Sequence, residues 1–250
     1  MVNARQARTA REKAAEMRAE AARKAARGRA IAIVSAVIAV IVVAVGAGII
    51  IQMAKHNQDV KTAAAVAPPA NLTNNGYLVG SPNAKVTIEV WEDFQCPACE
   101  NFESLNGAQL KKWAADGTVK TEYHPVAILD RYSSTNYSTR SLNAFAAVIN
   151  AKAAAVDKFH SLLFANQPAE NTPGLPDSQL IEYAVQAGVD RASVENAITT
   201  LKYKGWTQTV TNEFSEKGYT ATPTILVNGK KVDDYAPDKI EALVEAAKKG

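Results

Sequence analysis

Apolar and polar positions along this chain change period several times, and each change marks an element. Ile31 to Ile51 runs without a charged residue. A helix of that length reaches roughly 30 Å, the thickness of a bilayer core. A cleavable signal peptide has a shorter apolar region, about 7–15 residues, and a shorter basic one. The pattern therefore predicts an uncleaved transmembrane anchor over 30–53. Residues 54–75 contain Ala63-Ala64-Ala65, Pro68-Pro69 and Asn74-Asn75-Gly76 without apolar periodicity, which predicts a linker.

A folded domain is expected from 76 to 250. Val86-Thr87-Ile88-Glu89-Val90-Trp91 reads as a β-branched strand, placed at 86–92. Phe102, Leu105 and Trp113 recur at helical spacing, so a helix is expected over 97–115, closed by Asp116-Gly117. A second strand is expected over 119–129, with His124-Pro125 pointing to an edge or a bulge. Helical spacing fills 133–166, and a Pro-rich loop follows to 176. Asp177 and Asp190 suit the N-caps of helices over 177–188 and 190–203. A further helix over 206–217 ends at Gly218. Asn228-Gly229 between two short strands is a type I′ hairpin signal, and a last helix begins at Pro237 or Asp238. The order is strand, helix, strand, a helical block over about 133–217, a hairpin and a helix: an α/β domain.

Charge changes the picture at one end only. The whole chain is +3, but residues 1–29 hold seven Arg and two Lys against three Glu, a charge of +6. The remainder is thus −3, and the domain has no basic footprint for nucleic acid. The tail has almost no large apolar side chain and cannot build a core. Its basic excess beside the apolar run predicts a cytoplasmic N-terminus, a single-pass membrane protein and an extracytoplasmic domain.

The candidate chemistry lies in Trp91-Glu92-Asp93-Phe94-Gln95-Cys96-Pro97-Ala98-Cys99, which holds both cysteines of the chain. They sit where a strand hands over to a helix. A thiol there faces unpaired backbone N–H groups and the positive end of the helix dipole, which favour the reactive thiolate. Cys96 is read as the nucleophile and Cys99, one turn on, as the resolving thiol. Pro97 suits the first helical turn. A zinc site would need four ligands, and the spacing of His56, His124 and His160 suggests none, so no metal or other cofactor is expected. A structural disulfide closing so short a loop would constrain little of the unfolded chain.

Gly80-Ser81-Pro82-Asn83-Ala84, the strand and Glu92-Asp93-Phe94-Gln95-Cys96-Pro97-Ala98-Cys99 together resemble the opening of a DsbA-like domain of the thioredoxin superfamily. Gly218 to Gly229, containing Thr222-Pro223, is similar to that family's cis-proline loop. Asp157 to Gln167 is similar to a segment of its helical insertion. The resemblance covers about 76–250 and is closest to Gram-positive actinobacterial types. It implies a thioredoxin fold with a DsbA-type helical insertion and thiol–disulfide exchange. By that resemblance Thr222 offers backbone hydrogen bonds to a substrate segment and Pro223 keeps the loop open. It also implies exported cysteine-containing proteins as substrates and a quinone-linked membrane oxidase, of DsbB or vitamin-K-epoxide-reductase type, as partner.

Several residues depart from the best-known members. Between the cysteines stand Pro97 and Ala98, where strongly oxidising members often have Pro-His. A buried carboxylate six residues before the nucleophile is replaced by Val90. Glu92 and Asp93 either raise the Cys96 pKa by like-charge repulsion or are exposed loop acids. His124 is expected to be a packing or surface residue, and Trp91 and Trp113 core or rim aromatics. Two other functions stay open: a membrane-tethered reductase or isomerase, and a non-catalytic binding module on a thioredoxin scaffold.

Overall fold

The computed structural model of the chain describes residues 68–70 and 72–249. The tail over 1–29, the anchor over 30–53 and most of the linker over 54–75 lie outside them. Among the described residues no helix is long and apolar enough to cross a membrane.

Five strands form one mixed sheet: β1 (Tyr77–Val79), β2 (Val86–Glu92), β3 (Val119–Pro125), β4 (Thr224–Val227) and β5 (Lys230–Val232). Their spatial order is β1-β3-β2-β4-β5, with β2 and β3 parallel and every other pair antiparallel. A parallel pair needs a crossover, supplied by helix α1 (Pro97–Ala115). Asp116 caps α1, and Gly117 takes the positive φ of 76° that reverses the chain into β3.

Strand alternation sorts the core into two layers. Val86, Ile88 and Val90 face one side, with Val119, Tyr123, Ile225 and Val227 from the neighbouring strands. They pack on Phe102, Leu110 and Trp113 of α1 and on Ile240 and Val244 of the last helix, α7 (Pro237–Lys249). Trp91 faces the other side, against Phe214 and Tyr219, and a helical block packs on both faces of the sheet near the end of β2. That block comprises α2 (Tyr137–Ala151), α3 (Val156–Ala165), α4 (Asp177–Gln186), α5 (Arg191–Thr199) and α6 (Lys204–Glu216).

Some expected boundaries move. The second strand ends at Pro125 rather than 129, and it lies inside the sheet between β1 and β2, not at an edge. It stops because the Asp93 carboxylate takes the N–H groups of Ile128 and Leu129, each at 3.0 Å, away from any ladder. Helical spacing over 133–166 hides a break at Lys152, whose extended backbone separates α2 from α3. Pro176, not Asp177, is the N-cap of α4, and Asp177 instead binds Arg140. Asp190 does cap α5 in position, without a side-chain hydrogen bond. The three-residue β1 carries no period long enough to read. The hairpin turn holds Asn228 and Gly229 both at positive φ, as a type I′ turn requires.

Asn143 locks the block together. Its buried side chain donates to the carbonyls of Ala197 (3.1 Å) and Ile198 (3.3 Å) and accepts from the Tyr203 N–H (2.8 Å). It thus satisfies the C-terminus of α5 from the middle of α2. Asn143→Ala would strand the buried Tyr203 N–H, at ~1–3 kcal/mol when unsatisfied, while the Ala197 and Ile198 carbonyls keep the N–H groups of Lys202 and Leu201. We expect a stability loss of about 1–3 kcal/mol in urea unfolding, with the m-value unchanged.

Candidate active site

The two cysteines occupy opposite environments one helical turn apart. Cys96 is the N-cap of α1, in extended backbone (φ −80°, ψ 115°), and its carbonyl already accepts the N–H of Cys99 (3.0 Å) and Glu100 (3.1 Å). Pro97 and Ala98 are exposed beside it, and Cys99 is fully buried beneath. Pro97 at the first helical position has no N–H to leave unpaired, which leaves the donors of Ala98 and Cys99 aimed at the Cys96 sulfur.

Both thiols are free in this structure. Cys96 is brought down to about 6. The largest cause is the hydrogen bond from the Cys99 thiol; the Thr222 hydroxyl and the N–H groups of Cys99 and Ala98 add to it, against burial. Cys99 moves well above its usual 9, first by burial, then by the Cys96 thiolate it serves and by the charge of Glu92. One sulfur is therefore a thiolate near neutrality and the other a thiol. This asymmetry is what a nucleophile and its resolving partner require.

Thr222 and Pro223 reach the site from the loop before β4, across 126 residues of sequence. The Cys96 Sγ–H donates to the Thr222 carbonyl at 3.3 Å, and the Thr222-Pro223 peptide is cis. Both residues are half-buried, leaving part of the loop open beside Cys96.

Glu92 and Asp93 are fully buried, so neither is an exposed loop acid. Their charges do not keep Cys96 from falling below its usual value. Asp93 organises the loop: its carboxylate accepts from the Gln95 N–H (2.9 Å), the Ser138 hydroxyl (2.7 Å) and the N–H groups of Ile128 and Leu129. Burial lifts its carboxyl to about 7 against these donors, and the Cys96 charge adds to the rise. The helical block holds the loop from above. Gln167 donates to the carbonyls of Phe94 (3.2 Å) and Cys96 (3.0 Å), and Gln95 donates to the Tyr132 carbonyl (3.1 Å).

Glu92 continues the row of Val86, Ile88 and Val90 at the end of β2. Its Oε1 lies 2.6 Å from Nε2 of His160, which α3 brings in, also buried. Burial opposes an imidazolium there, yet the Glu92 carboxylate outweighs it and lifts His160 to about 9. Glu103, four residues after Cys99 on α1, completes the group. One ligand atom from each of Glu92, Glu103 and His160 lies within 4.8 Å of the others. Histidine spacing gave no hint of this meeting, because its members come from three elements. The contact of 2.6 Å is that of a hydrogen-bonded ion pair.

The remaining sequence candidates are packing residues. His124 is buried and stacks on Trp91 at 4.2 Å and 10°, with neither ring nitrogen hydrogen-bonded. Trp91 and Trp113 belong to the two core layers. Sequence reasoning gave no role to Glu103 or Ser138 and named Gln167 only as the end of a segment resembling the insertion; the insertion brings the last two to the loop.

A strand, a dithiol at a helix start and a cis-proline loop over a five-stranded mixed sheet define a thiol-disulfide oxidoreductase of thioredoxin type. The family model described as thioredoxin matches residues 72–246. The chain belongs to the thioredoxin family, in its DsbA-like branch. It is similar to the reduced disulfide bond oxidoreductase DsbG of Mycobacterium tuberculosis, with 32% identity, a TM-score of 0.60 and coverage of 72% of this chain and 86% of that one. It is similar also to oxidised DsbA of M. tuberculosis: 33% identity, TM-score 0.59, 70% and 90% covered. BdbD of Bacillus subtilis shares the fold at 22% identity and TM-score 0.64, over 74% and 98%. Among curated proteins, the serine/threonine-protein kinase PknE of M. tuberculosis is 30% identical over 179 residues, 68% of this chain. The chain spans only 31% of the length of that relative.

Alkylation of the reduced protein with iodoacetamide should show Cys96 reactivity rising with pH through one inflection near 6, as thiol becomes thiolate. Cys99 should stay unmodified across the same range. Thr222→Val, which keeps the carbonyl and removes the hydroxyl, should move the inflection upward; an inflection left at 6 would remove Thr222 from the site's electrostatics.

Proposed function

We propose that this chain oxidises the thiols of exported proteins from a membrane-tethered position, through the Cys96–Cys99 disulfide. The observation that carries this reading is the asymmetry of the two sulfurs: Cys96 is a favoured thiolate and leaving group, and Cys99 is buried and protonated.

The steps follow from that difference. A substrate thiolate attacks Cys96 Sγ in the oxidised enzyme. The substrate–Cys96 bond forms, the Cys96–Cys99 bond breaks, and its electron pair goes to Cys99. A thiolate at that buried position takes a proton, and the Glu92 carboxylate at the end of β2, paired with His160 of α3, is a buried charge that Cys99 feels. A second substrate thiolate then attacks the substrate sulfur of the mixed disulfide. The substrate disulfide forms, and Cys96 leaves as a thiolate held by the helix start, the Cys99 thiol and Thr222. The half-open loop at Thr222 and Pro223 lies where an extended substrate segment would dock, with exposed Pro97 and Ala98 as its apolar floor.

The apolar run from Ile31 to Ile51 supports tethering, and the basic tail supports an extracytoplasmic domain. Reoxidation passes two electrons to a quinone-linked membrane oxidase of DsbB or vitamin-K-epoxide-reductase type, as the DsbA-like branch implies. One observation favours the reverse direction, a reductase or isomerase. With alanine at 98 no imidazolium adds to the thiolate, and about 6 for Cys96 is nearer the ~7 of thioredoxin than the ~3.5 of DsbA.

The test uses the oxidised protein and a reduced, unfolded client with several cysteines. We expect stoichiometric disulfide formation in the client, reduced to background by Cys96→Ser. Cys99→Ala, first charged at Cys96 as a glutathione mixed disulfide, should exchange with a client thiolate, releasing glutathione and leaving a client mixed disulfide at Cys96. Client disulfides lost to the reduced protein, with none gained from the oxidised one, would establish the reductase instead.

A further inference from the structure

The dithiol uses neither His124 nor the acids around it. Stacking on Trp91 occupies the face of the His124 ring and leaves its edge over. Both ring nitrogens lack a hydrogen-bond partner, although the residue is only 2% exposed. Buried polar atoms are rarely left so. Gly76 packs against the Nδ1 side of the ring: a Cβ there would stand 2.6 Å from Cε1 and 2.8 Å from Nδ1. On the other side, Nε2 lies 3.8 Å from Oε2 of Glu122, too far for a hydrogen bond.

His124 and Glu122 line a groove of about 480 Å³ between the sheet, α6 and the segment before β1. Parallel register sets Glu89 of β2 beside Glu122 of β3, and Trp91 beside His124, on one face. Glu213 of α6 lines the same groove, and its Oε2 accepts from the Asn75 amide at 3.0 Å. The Asn74 amide donates to Glu122 at 3.4 Å. Each amide bonds through its nitrogen, which leaves its oxygen over. Neighbouring like charges on a sheet are destabilising. Here three carboxylates share one ammonium, that of Lys217, 3.6 Å from Glu213. The groove therefore combines an excess of negative charge with an unpartnered imidazole in its wall.

We propose that this groove binds one divalent cation of zinc-like chemistry, held by Nε2 of His124 and the carboxylate of Glu122, with Glu89, Glu213 and the asparagine oxygens of the groove completing its shell. Imidazole together with carboxylate is a donor set for zinc, whereas calcium and magnesium take oxygen ligands. Two ligands at about 2.0–2.2 Å from one zinc stand about 3–4 Å apart, and the 3.8 Å between Nε2 and Oε2 fits that edge. Histidine spacing in the sequence gave no sign of the site, since its ligands are one imidazole and oxygens from several elements. The ion ties the segment before β1 to the sheet and to α6, and no thiol takes part.

Glu92, Glu103 and His160 form another histidine–acid group among the described residues, and it does not compete for the ion. Nε2 of His160 already bonds Glu92 at 2.6 Å. Burial works against an imidazolium there, yet the Glu92 carboxylate lifts the ring to about 9, and a protonated imidazole is no ligand. Water alone would satisfy the ring nitrogens of His124 and the unpartnered Nε1 of Trp91 in the same wall, but it leaves three carboxylates facing one ammonium.

The test is titration of the full chain with zinc chloride, followed by calorimetry and by the ring nitrogen NMR signals of its three histidines, His56, His124 and His160. The protein is first oxidised at Cys96 and Cys99, so that no thiolate competes for the ion. One zinc per chain should bind, shifting the ring signals of His124 and leaving those of His56 and His160 in place. Glu122→Gln should weaken binding at least about tenfold, the low end of what even an outer partner in a metal site contributes. His124→Phe, which keeps the stack on Trp91 and removes the nitrogens, should do the same; the wild-type ring signals carry the result if that variant fails to fold. Lys217→Met, which removes the competing charge, should tighten binding, and calcium chloride should bind more weakly than zinc. Cys96 alkylation in reduced Glu122→Gln should keep its inflection near 6, which shows the domain intact. The absence of saturable binding would overturn the site and leave the groove to water. Shifts confined to His56 or His160 would overturn it as well, as would wild-type affinity in Glu122→Gln. Calcium binding as tight as zinc would remove His124 from the ligand set and with it the proposal.

Discussion

Everything in this domain depends on keeping two sulfurs one helical turn apart in unlike surroundings. The start of α1 offers Cys96 a cluster of donors, and the interior gives Cys99 none of the solvent that would ionise it. Each sulfur reinforces the other: the Cys99 thiol donates to the Cys96 thiolate, and that charge keeps the Cys99 proton in place. The coupling makes the reduced pair a stable state with one charge. A disulfide whose reduced form is favoured in this way is the more oxidising one.

The helical block is structurally more than an insertion into a thioredoxin fold. It supplies Ser138 to Asp93, Gln167 to the carbonyls of Phe94 and Cys96, and His160 to Glu92. The end of β2 and the loop before α1 carry two buried acids, Glu92 and Asp93, which would be costly without those partners. The block's own rigidity, through Asn143 and the arginine pair Arg140–Asp177, is therefore passed on to the dithiol. A change deep in the block that leaves Cys96 and Cys99 untouched can still alter their chemistry.

The sequence made the local features legible and the distant meetings illegible. The dithiol, its helix and the strand before it stand in one continuous stretch, so period and spacing were enough. Thr222-Pro223 was found only by family resemblance, since nothing local ties it to a cysteine 126 residues away. Val90 at the usual acid position suggested that the buried carboxylate was missing. The structure moves an acid two residues on, to Glu92, and pairs it with a histidine whose spacing from other histidines carried no signal. Glu92 could not be recognised as buried from the sequence, because a loop acid and a strand-end acid read alike. The short β1 and the break at Lys152 were missed for the same reason: a three-residue strand and a single extended residue leave no period.

The measurement that bears most directly on the account is the reduction potential of the Cys96–Cys99 pair, by equilibration in glutathione buffers with mass-tagging of both thiols. Thioredoxin, with a nucleophile near pKa ~7, lies near about −270 mV, and DsbA, near ~3.5, lies near about −120 mV. With Cys96 at about 6, the pair should fall between them, at roughly −230 mV. A potential at or below about −270 mV would contradict the claim that the Cys96 thiolate, held at the start of α1, sets the poise of this disulfide.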